Sequence, residues 1–453
     1  MAISEPEWVQ HAVFWHIYPL GALDAERERA DLGVEIRHRL PALEPWLDHA
    51  VELGASAILL GPVFESRTHG YDTTDHFRVD SRLGDNADLV GLVAAAHDRG
   101  LRVVLDGVFN HVGQDFAMFR RALAEGPGSP AARWFHLHWP DPQDGGGAPT
   151  HEDFEGHQAL VALNHDEPAV AEYVEEVMTY WLDRGVAGWR LDAAYAVPPS
   201  FWRPIIERVR QRHPDTYVVG EVIHGDYPAI VAESGMDSVT QYELWKAIWS
   251  SLNDANFWEL DHALRRHADF SRAFVPHTFV GNHDVTRIAS RLADPRHLDH
   301  ALAVLFTVPG TPSVYAGDEH GFTGVKEERE GGDDAIRPPF PAAPDELSPV
   351  GLPVYHRHQE LIGLRRRHAW LHSAELTVRH VSDPLIAYVV RAQEQALVVV
   401  LSTSDDDTSW QLPDDLPVAG EQAVLAGTGT VVEDGAVVAL PPHGWVVLGA
   451  RSG

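Results

Sequence analysis

Four short segments of the chain share one pattern: each begins as an apolar run and ends in ionisable side chains. They are, in chain order, DGVFNH (106–111), GWRLD (188–192), VVGEV (218–222) and VGNHD (280–284). A strand of a parallel barrel has this pattern, because its middle is buried on both faces while its C-terminal end opens into an active site. Three carboxylates, Asp192, Glu221 and Asp284, are therefore predicted to converge on one pocket.

Apolar runs of strand length recur along most of the chain and alternate with amphipathic stretches that are typical of helices. Eight such runs lie at 12–20, 56–64, 102–109, 186–193, 216–222, 238–242, 277–284 and 311–319. Eight strands separated by helical patterns predict the α/β class, and specifically a (β/α)8 TIM barrel.

Two regions depart from this alternation. Residues 113–164, after the third strand, are too long for a connecting loop and are punctuated by Gly and Pro, which predicts a small inserted lobe. Later, LIAYVVRA, ALVVVLST and GWVVLGA have a period of two residues, which predicts a C-terminal antiparallel β-sandwich. We therefore assign 1–112 and 165–365 to the barrel, 113–164 to the lobe and 366–453 to the sandwich.

The composition of the chain disfavours several classes of function. It carries 35 Lys and Arg against 67 Asp and Glu, a formal net charge of −32, which argues against binding to nucleic acid or to an anionic membrane surface. No apolar run approaches the ~20 residues that span a bilayer, and the start, MAISEPEWVQ, lacks the pattern of a signal peptide, so we expect a cytoplasmic protein. The absence of cysteine excludes disulfides and cysteine nucleophiles.

The four segments resemble those of the α-amylase family of retaining glycoside hydrolases (glycoside hydrolase family 13). Two further stretches, HGYDTTDHFRVDSRLG (69–84) and VPGTPSVYAGDEHG (308–321), extend the likeness over nearly the whole chain. The resemblance implies that Asp192 is the nucleophile, Glu221 the general acid/base and Asp284 the carboxylate that helps to hold the sugar in its distorted transition state. The predicted substrate-binding residues are Tyr71, His111, Arg190, His283, Asp72, Arg287 and Trp245.

The chemistry of acetal cleavage with retention requires the same residue types independently. It needs a carboxylate nucleophile and a second carboxyl that protonates the leaving oxygen and later deprotonates water, which Asp192 and Glu221 can supply. Arg190 and Asp192 are two residues apart on one strand, so they share a face and the guanidinium favours the ionised nucleophile. Asp106 is expected to orient its neighbours, and Trp245 either stacks on a sugar or packs beside its helix.

The predicted chemistry requires no cofactor, and a metal stays open at one position. Asn110 either orients its neighbours or binds calcium, which in this family often bridges that asparagine and the inserted lobe; the matching ligands of the lobe are not identifiable here. Catalytic zinc is disfavoured, because His69, His76, His111 and His283 lack the i, i+4 spacing of a helical ligand pair.

Within the family, the chain is most similar to the cyclomaltodextrinase, neopullulanase and maltogenic amylase group, which includes hydrolases of cyclic maltosyl-maltose. Residues 116–137 and 163–170 carry this likeness. The group usually has an N-terminal β-domain used in dimer formation, whereas the first predicted strand here starts about a dozen residues in, so a homodimer stays open. Ala193, after the predicted nucleophile, leans towards α-1,4 linkages in related exo-acting enzymes.

We therefore predict a retaining α-glucoside hydrolase that acts on short or cyclic malto-oligosaccharides, with α-1,4 linkages favoured, through a covalent glycosyl-enzyme intermediate. A transglycosylase or glucoside isomerase would use the same intermediate with another acceptor. A noncatalytic carbohydrate-binding protein on the same fold is the alternative of another class, but such relatives typically lose members of the triad. Trp134, Phe135 and Trp139 of the lobe are predicted to wall the cleft and to favour a bounded pocket.

Overall fold

The computed structural model describes residues 5–29, 35–141, 147–329, 331–413, 422–432 and 436–450. Of the Gly- and Pro-rich stretch at 141–149, residues 142–146 lie outside the described residues.

Within these ranges, the strands in chain order are β1 (Phe14–Ile17), β2 (Ala57–Leu60), β3 (Phe64–Ser66), β4 (Thr73–Val79), β5 (Arg102–Gly107), β6 (His111–Gly113), β7 (Leu137–His138), β8 (Thr150–His151), β9 (Asp153–Phe154), β10 (His157–Ala162), β11 (Gly188–Leu191), β12 (Tyr217–Gly220), β13 (Ser238–Val239), β14 (His277–Phe279), β15 (Thr311–Tyr315), β16 (Glu375–Val381), β17 (Leu385–Ala392), β18 (Gln395–Ser402), β19 (Thr408–Gln411), β20 (Gln422–Gly427), β21 (Thr430–Val432), β22 (Val437–Leu440) and β23 (Trp445–Ala450). The α-helices are α1 (Pro19–Ala22), α2 (Glu44–Leu53), α3 (Asn86–Asp98), α4 (Ala117–Glu125), α5 (Pro168–Leu182), α6 (Pro199–Arg212), α7 (Tyr227–Ser234), α8 (Tyr242–Asn253), α9 (Trp258–Phe270), α10 (Ile288–Arg291), α11 (Leu298–Thr307) and α12 (Leu352–Arg367).

Eight parallel strands form the barrel. They are hydrogen-bonded in the order β13-β12-β11-β5-β2-β1-β15-β14, and a parallel bridge between Thr240 and His277 joins the two ends of the sheet. All eight predicted runs contain one of these strands, so the predicted TIM barrel is confirmed.

The barrel interior is a packed core towards the N-terminal ends of the strands. Phe14, Ala57, Leu59, Val104 and Val219 fill it, while alternate residues of the same strands point outward and pack against the helices. Because both faces are covered, the strands have continuous apolar sequences. Polar side chains are therefore left to gather at the C-terminal ends, where the site lies.

The helices around the barrel begin and end at residues suited to those positions. Asp85 caps α3 by accepting hydrogen bonds from the main-chain N–H groups of Ala87 and Asp88, and α2 ends at Gly54, whose φ of 102° is left-handed. No helix in the described ranges is long and apolar enough to cross a membrane.

The predicted lobe is present between β5 and α5. Its strands pair in the antiparallel sense, β6 with β10, β10 with β9 and β7 with β8. Trp134 and Phe135 do not wall the cleft: the ring of Trp134 packs against Tyr173 of α5 with centroids 5.4 Å apart, and that of Phe135 against Phe119 of α4 at 5.1 Å. Trp134 and Phe135 belong to an apolar core that the lobe shares with the barrel helices.

The C-terminal region consists of two antiparallel sheets, ordered β16-β17-β18-β23-β20 and β19-β22-β21, which confirms the predicted sandwich. The middle strands of the larger sheet, β17 and β18, are buried on both faces over most of their length. Leu397, Val399 and Leu401 of β18 join the barrel core, whereas Val398 and Val400 join the core between the two sheets. Alternate side chains of β18 therefore enter two different apolar cores. Neither face of this strand is exposed to solvent over most of its length.

Candidate active site

A cleft of about 470 Å³ lies at the C-terminal ends of the barrel strands. Five predicted site residues line it: Tyr71, His111, Asp192, Glu221 and Asp284. The other walls come from the lobe, between residues 154 and 160, and from the connection that follows β15, between residues 326 and 337. A second cavity of about 390 Å³ shares His69, Asp333 and Arg337 with this cleft, but none of the three predicted catalytic carboxylates lines it.

The buried guanidinium of Arg190 lies at the centre of the site and contacts four carboxylates. Its Nη1 is 2.7 Å from each carboxylate oxygen of Asp106 and 3.3 Å from Oδ1 of Asp192. Its Nη2 is 3.0 Å from Oε1 of Glu221 and 4.0 Å from Oδ2 of Asp284. One side chain on β11 thus brings together the three predicted catalytic carboxylates, which come from the ends of three different strands.

The turn after β11 connects the predicted nucleophile to the predicted acid/base. Ala193 adopts a left-handed conformation, with φ 45° and ψ 38°, which costs a residue with a β-carbon roughly 1–2 kcal/mol. In this conformation its N–H donates to Oε2 of Glu221 at 2.9 Å, and the hydroxyl of Tyr242 donates to Oε1 at 3.2 Å. The strained backbone of Ala193 thus helps to position the Glu221 carboxyl.

Asp284 has a nitrogen-bearing side chain within hydrogen-bonding distance of each of its oxygens. Its Oδ1 accepts from Nη2 of Arg337 at 2.8 Å, and its Oδ2 is 2.9 Å from Nε2 of His283. Burial alone would raise the pKa of Asp284, but His283, Arg337 and Arg190 outweigh burial and hold the pKa well below its usual value. Asp284 is therefore ionised across the physiological range.

Asp192 has the opposite balance. Burial, followed by the nearby charge of Glu221, raises the pKa of Asp192 well above its usual value, and Arg190 offsets only part of this. Burial likewise raises the pKa of Asp106, against the opposing effect of Arg190. Arg190 favours the ionised form of Asp192, as the sequence predicts, but burial outweighs this effect.

The aromatic and histidine residues pack around this carboxylate cluster. Tyr71 donates to Oδ2 of Asp106 at 3.2 Å and contacts Nε2 of His283, and the rings of Tyr71 and His283 stack with centroids 5.6 Å apart. His283 is fully buried behind the cleft wall, so it acts on the cleft through Tyr71 and Asp284. His111 faces the cleft and stacks on Phe154 of the lobe at 4.8 Å.

Besides Arg190 and His283, which are both buried, three more of the residues predicted to bind substrate do not line the cleft. Asp72 accepts hydrogen bonds from the main-chain N and the hydroxyl of Thr68 at 3.1 and 2.8 Å. Arg287 is fully buried, 2.7 Å from Oδ1 of Asp318. Trp245 stacks on the last residue of β14 with centroids 6.3 Å apart. Each of these side chains contacts residues outside the cleft. Their positions in the sequence, close to the site motifs, do not show which way the side chains face.

The surroundings of Asn110 fit a structural role better than a calcium site. Its side-chain amide N–H donates to Nδ1 of His111 at 3.1 Å, and its main-chain carbonyl accepts from the N–H of Leu163 at 3.0 Å. Calcium takes six to eight oxygen ligands, usually with several carboxylates, and neither group of three convergent His, Asp or Glu ligands found among the described residues includes a neighbour of Asn110. Calcium at Asn110 stays a prediction, and we derive no catalytic step through it.

Sequence reasoning missed four residues that shape the cleft: Arg337, Tyr242, Glu155 and Tyr195. Tyr242 is the last residue of the predicted sixth strand, so its place at a strand end was a usable indication. Arg337 lies far along the connection after β15, and Glu155 lies in the lobe, where no periodic pattern indicates which side chains face the cleft.

A buried arginine that gathers carboxylates at the mouth of a parallel barrel defines a barrel glycosidase with a paired-carboxylate site. The catalytic-domain model of the alpha-amylase family matches residues 43–338, and the chain belongs to this family. It is an O-glycosyl hydrolase that uses the retaining mechanism, so the noncatalytic alternative is wrong.

Relatives agree with this assignment, and a solved structure agrees with the fold. The chain is 30% identical to a cyclomaltodextrinase from a Bacillus species over 88% of this chain and 73% of that protein. It is 28% identical to the intracellular maltogenic amylase of Bacillus subtilis (strain 168) over 71% of this chain and 57% of that protein. The fold matches that of the cyclic α-maltosyl-(1→6)-maltose hydrolase from Arthrobacter globiformis with a TM-score of 0.82 and 24% identity, covering 99% of this chain and 100% of the other.

Proposed function

We propose that the enzyme hydrolyses short or cyclic malto-oligosaccharides, with α-1,4 linkages favoured, and that Asp192, Glu221 and Asp284 carry the chemistry. The observation that carries the proposal is the contact of one buried arginine, Arg190, with all three carboxylates beside a cleft of about 470 Å³. The names of the relatives, cyclomaltodextrinase and maltogenic amylase, support the substrate class.

The first step transfers the sugar to the enzyme. Asp192 attacks the anomeric carbon and forms a carbon–oxygen bond, while Glu221 gives its proton to the glycosidic oxygen and that carbon–oxygen bond breaks. In the second step Glu221 takes a proton from water, the water oxygen bonds to the anomeric carbon, and Asp192 leaves as a carboxylate.

Asp284 and Arg190 stabilise charges that develop during the reaction. The anomeric carbon becomes positive in the transition state, and an ionised Asp284 in a partly buried cleft stabilises it more than water would. Arg190 balances the negative charge that remains when the nucleophile departs.

A bridge across the cleft supports the preference for short substrates. The hydroxyl of Tyr195, on the turn after β11, donates to Oε1 of Glu155 in the lobe at 2.7 Å, and both residues line the cleft. This contact, together with Phe154 stacked on His111, joins the lobe to the barrel over the site. A cleft bridged in this way favours a chain end or a small ring over the middle of a long polymer.

Rates on a panel of substrates test the substrate class. We expect kcat/KM on maltotriose or cyclodextrins to exceed that on soluble starch by at least about tenfold, roughly 1.4 kcal/mol in transition-state binding, at equal concentrations of cleavable bonds. Panose and pullulan report on the linkage, and products at high acceptor concentration reveal transglycosylation. Equal or faster cleavage of starch would contradict the bounded cleft.

The stereochemistry of the first product tests the roles of the two carboxylates. Proton NMR of the early product should show the α-anomer, because a nucleophile and an acid/base acting in two displacements restore the original configuration. Initial release of the β-anomer would overturn the roles of Asp192 and Glu221.

We extend the proposal to a cytoplasmic enzyme whose hydrolysis needs no metal. The acidic net charge of −32 and the intracellular location in the name of the Bacillus subtilis relative support the location. The poor donor set at Asn110 supports hydrolysis without calcium. Activity should survive dialysis against EDTA, and a loss that calcium restores would contradict this; sedimentation velocity decides between a monomer and a homodimer.

A further inference from the structure

Two histidines and an aspartate meet at the seam between the barrel and the C-terminal sandwich, away from the cleft. Asp294 and His297 lie just before α11, and His443 lies in the turn between β22 and β23. Each offers one ligand atom, and these atoms lie within 4.8 Å of one another. Asp294 and His297 are three residues apart across a 3₁₀ turn, which brings their side chains to the same side.

The two imidazole rings face each other through ring nitrogens. Nε2 of His297 is 2.9 Å from Nδ1 of His443. The other nitrogen of His443, Nε2, is 2.8 Å from Oδ1 of Asp405. A carboxylate only accepts, so His443 donates from Nε2 and turns the lone pair of Nδ1 towards His297. A carboxylate behind a histidine is the usual outer partner of a metal-binding imidazole.

The ring of His297 is buried in the seam, and its neighbours fix its orientation. His297 is 4% exposed, and the main chain of Leu252 lies within reach of its ring. The ring of the fully buried His300 lies edge-on to it, with centroids 5.1 Å apart. These contacts leave Nε2 of His297 to face Nδ1 of His443.

The carboxylate of the cluster can be released to a ligand. Among the described residues, the hydrogen bonds of Asp294 Oδ2 come from the guanidinium of Arg296, at 2.6 Å from Nη2 and 3.0 Å from Nε, while Oδ1 also caps the turn. The Arg296 side chain is 57% exposed and is free to swing towards solvent. The other candidate cluster, His38 with Asp85 and Asp88, differs, because its aspartates accept from main-chain N–H groups at the start of α3.

We propose that Asp294, His297 and His443 bind a divalent transition-metal ion, with zinc as the preferred ion, and that this ion clamps the sandwich to the barrel. Two imidazoles and one carboxylate form a borderline-soft donor set that suits Zn²⁺, with water in the fourth position. Zinc–nitrogen bonds of about 2.0–2.1 Å place two tetrahedral nitrogens about 3.3 Å apart, so the rings need to separate by only about 0.4 Å. Asp294 and Asp405 supply two negative charges next to the ion.

The clamp joins elements that are distant in sequence. His297 precedes α11 of the barrel, and His443 precedes β23, the strand next to β18 in the sheet that packs on the barrel. An ion bound only by the folded protein stabilises it by mass action. Zinc is thus expected to act on stability at the seam and not on the hydrolytic step.

Metal content and spectroscopy of the full chain test the proposal. Apoprotein should take up one equivalent of Zn²⁺ that survives gel filtration, and Co²⁺ in its place should give the visible absorption of a tetrahedral site. Zn²⁺ should raise Tm by a few degrees.

His443→Gln should abolish all three effects. Asp294→Asn, which retains the cap, should weaken Zn²⁺ binding at least about tenfold, and Asp405→Asn should weaken it about 10- to 100-fold.

The matched control is His38→Gln, which alters the other cluster and should leave the binding of the first equivalent unchanged. The proposal is overturned if wild-type protein retains no equivalent of Zn²⁺, if His443→Gln and Asp294→Asn bind as wild type does, or if His38→Gln removes the binding. A folded His443→Gln protein is recognised by wild-type activity, because His443 is remote from the cleft. Should that variant fail to fold, Asp294→Asn and His38→Gln decide the question alone.

Discussion

Asp192 is the proposed nucleophile, and its surroundings disfavour its charged form. The substitution Asp192→Asn tests both statements, because it removes the nucleophile and the charge. Asp192→Asn retains the shape but is a poor nucleophile, so turnover on the best substrate should fall by on the order of a thousandfold or more. Glu221→Gln should also lose activity, yet recover part of it on substrates whose leaving group needs no proton. Steady-state kinetics measures both, and an Asp192→Asn protein with more than about a tenth of wild-type turnover would refute the assignment.

The same variant should be more stable than wild type at neutral pH. The folded-state pKa of Asp192 lies well above the unfolded value of 3.8. At a pH between these two pKa values, the folded protein binds more protons than the unfolded protein does. The free energy of unfolding of the wild type therefore falls as pH rises through this range. Asparagine does not titrate, and Asp106 still pairs with Arg190. Differential scanning calorimetry should find little difference in Tm below about pH 4 and a higher Tm for Asp192→Asn at pH 7. A lower Tm at pH 7 would contradict the raised pKa.

Arg337 is a positioning residue whose loss should alter the pH profile. It holds Oδ1 of Asp284 and also donates from Nε to the carbonyl of His283 at 2.8 Å. Arg337→Met should lower kcat/KM by roughly tenfold or more. It should also raise the pKa of Asp284 and move the acidic limb of kcat/KM to higher pH. Arg337→Lys, which retains the charge, should leave the limb nearer its original position; an unmoved limb in Arg337→Met would argue against the coupling.

At the scale of elements, the bridge between the lobe and the turn after β11 is expected to set substrate size. Tyr195→Phe removes only the hydroxyl that donates to Glu155. The ratio of kcat/KM on starch to that on maltotriose should rise about fivefold, the equivalent of one hydrogen bond of about 1 kcal/mol. Tyr180→Phe is the matched control, because its hydroxyl accepts from Asn86 beside α5, outside the cleft. An unchanged ratio in Tyr195→Phe would show that the lobe does not restrict the substrate through this contact.

At the scale of the whole molecule, barrel and sandwich are expected to unfold together. One face of the larger sandwich sheet belongs to the same apolar core as the barrel helices, including Tyr388, whose hydroxyl is 2.7 Å from that of Thr307 on α11. Separating the two would expose this face to water, so local unfolding of the sandwich is costly. Calorimetry of the metal-free protein should show one transition, and two resolved transitions would indicate independent domains.

The barrel and its catalytic face could be read from sequence because each strand carries its own local pattern. Burial on both faces demands an apolar run, and the opening at the strand end admits ionisable residues, among them Asp192, Glu221 and Asp284. The sandwich was visible for a similar reason, through alternation along LIAYVVRA and ALVVVLST. These features depend on neighbours within a few residues, which the order of amino acids records directly.

Tertiary structure alone decided which side chains meet. Arg337 reaches Asp284 from 53 residues further along the chain, and Glu155 reaches Tyr195 from the lobe across 40 residues. Arg287 and Trp245 lie near the motifs in sequence, but their side chains do not line the cleft. Arg287 forms a salt bridge with Asp318, and Trp245 stacks on Phe279. His297 and His443 meet across 146 residues. Sequence determines an element through local burial and backbone preference, whereas a contact between elements depends on how packing orients each of them, and no local pattern encodes that.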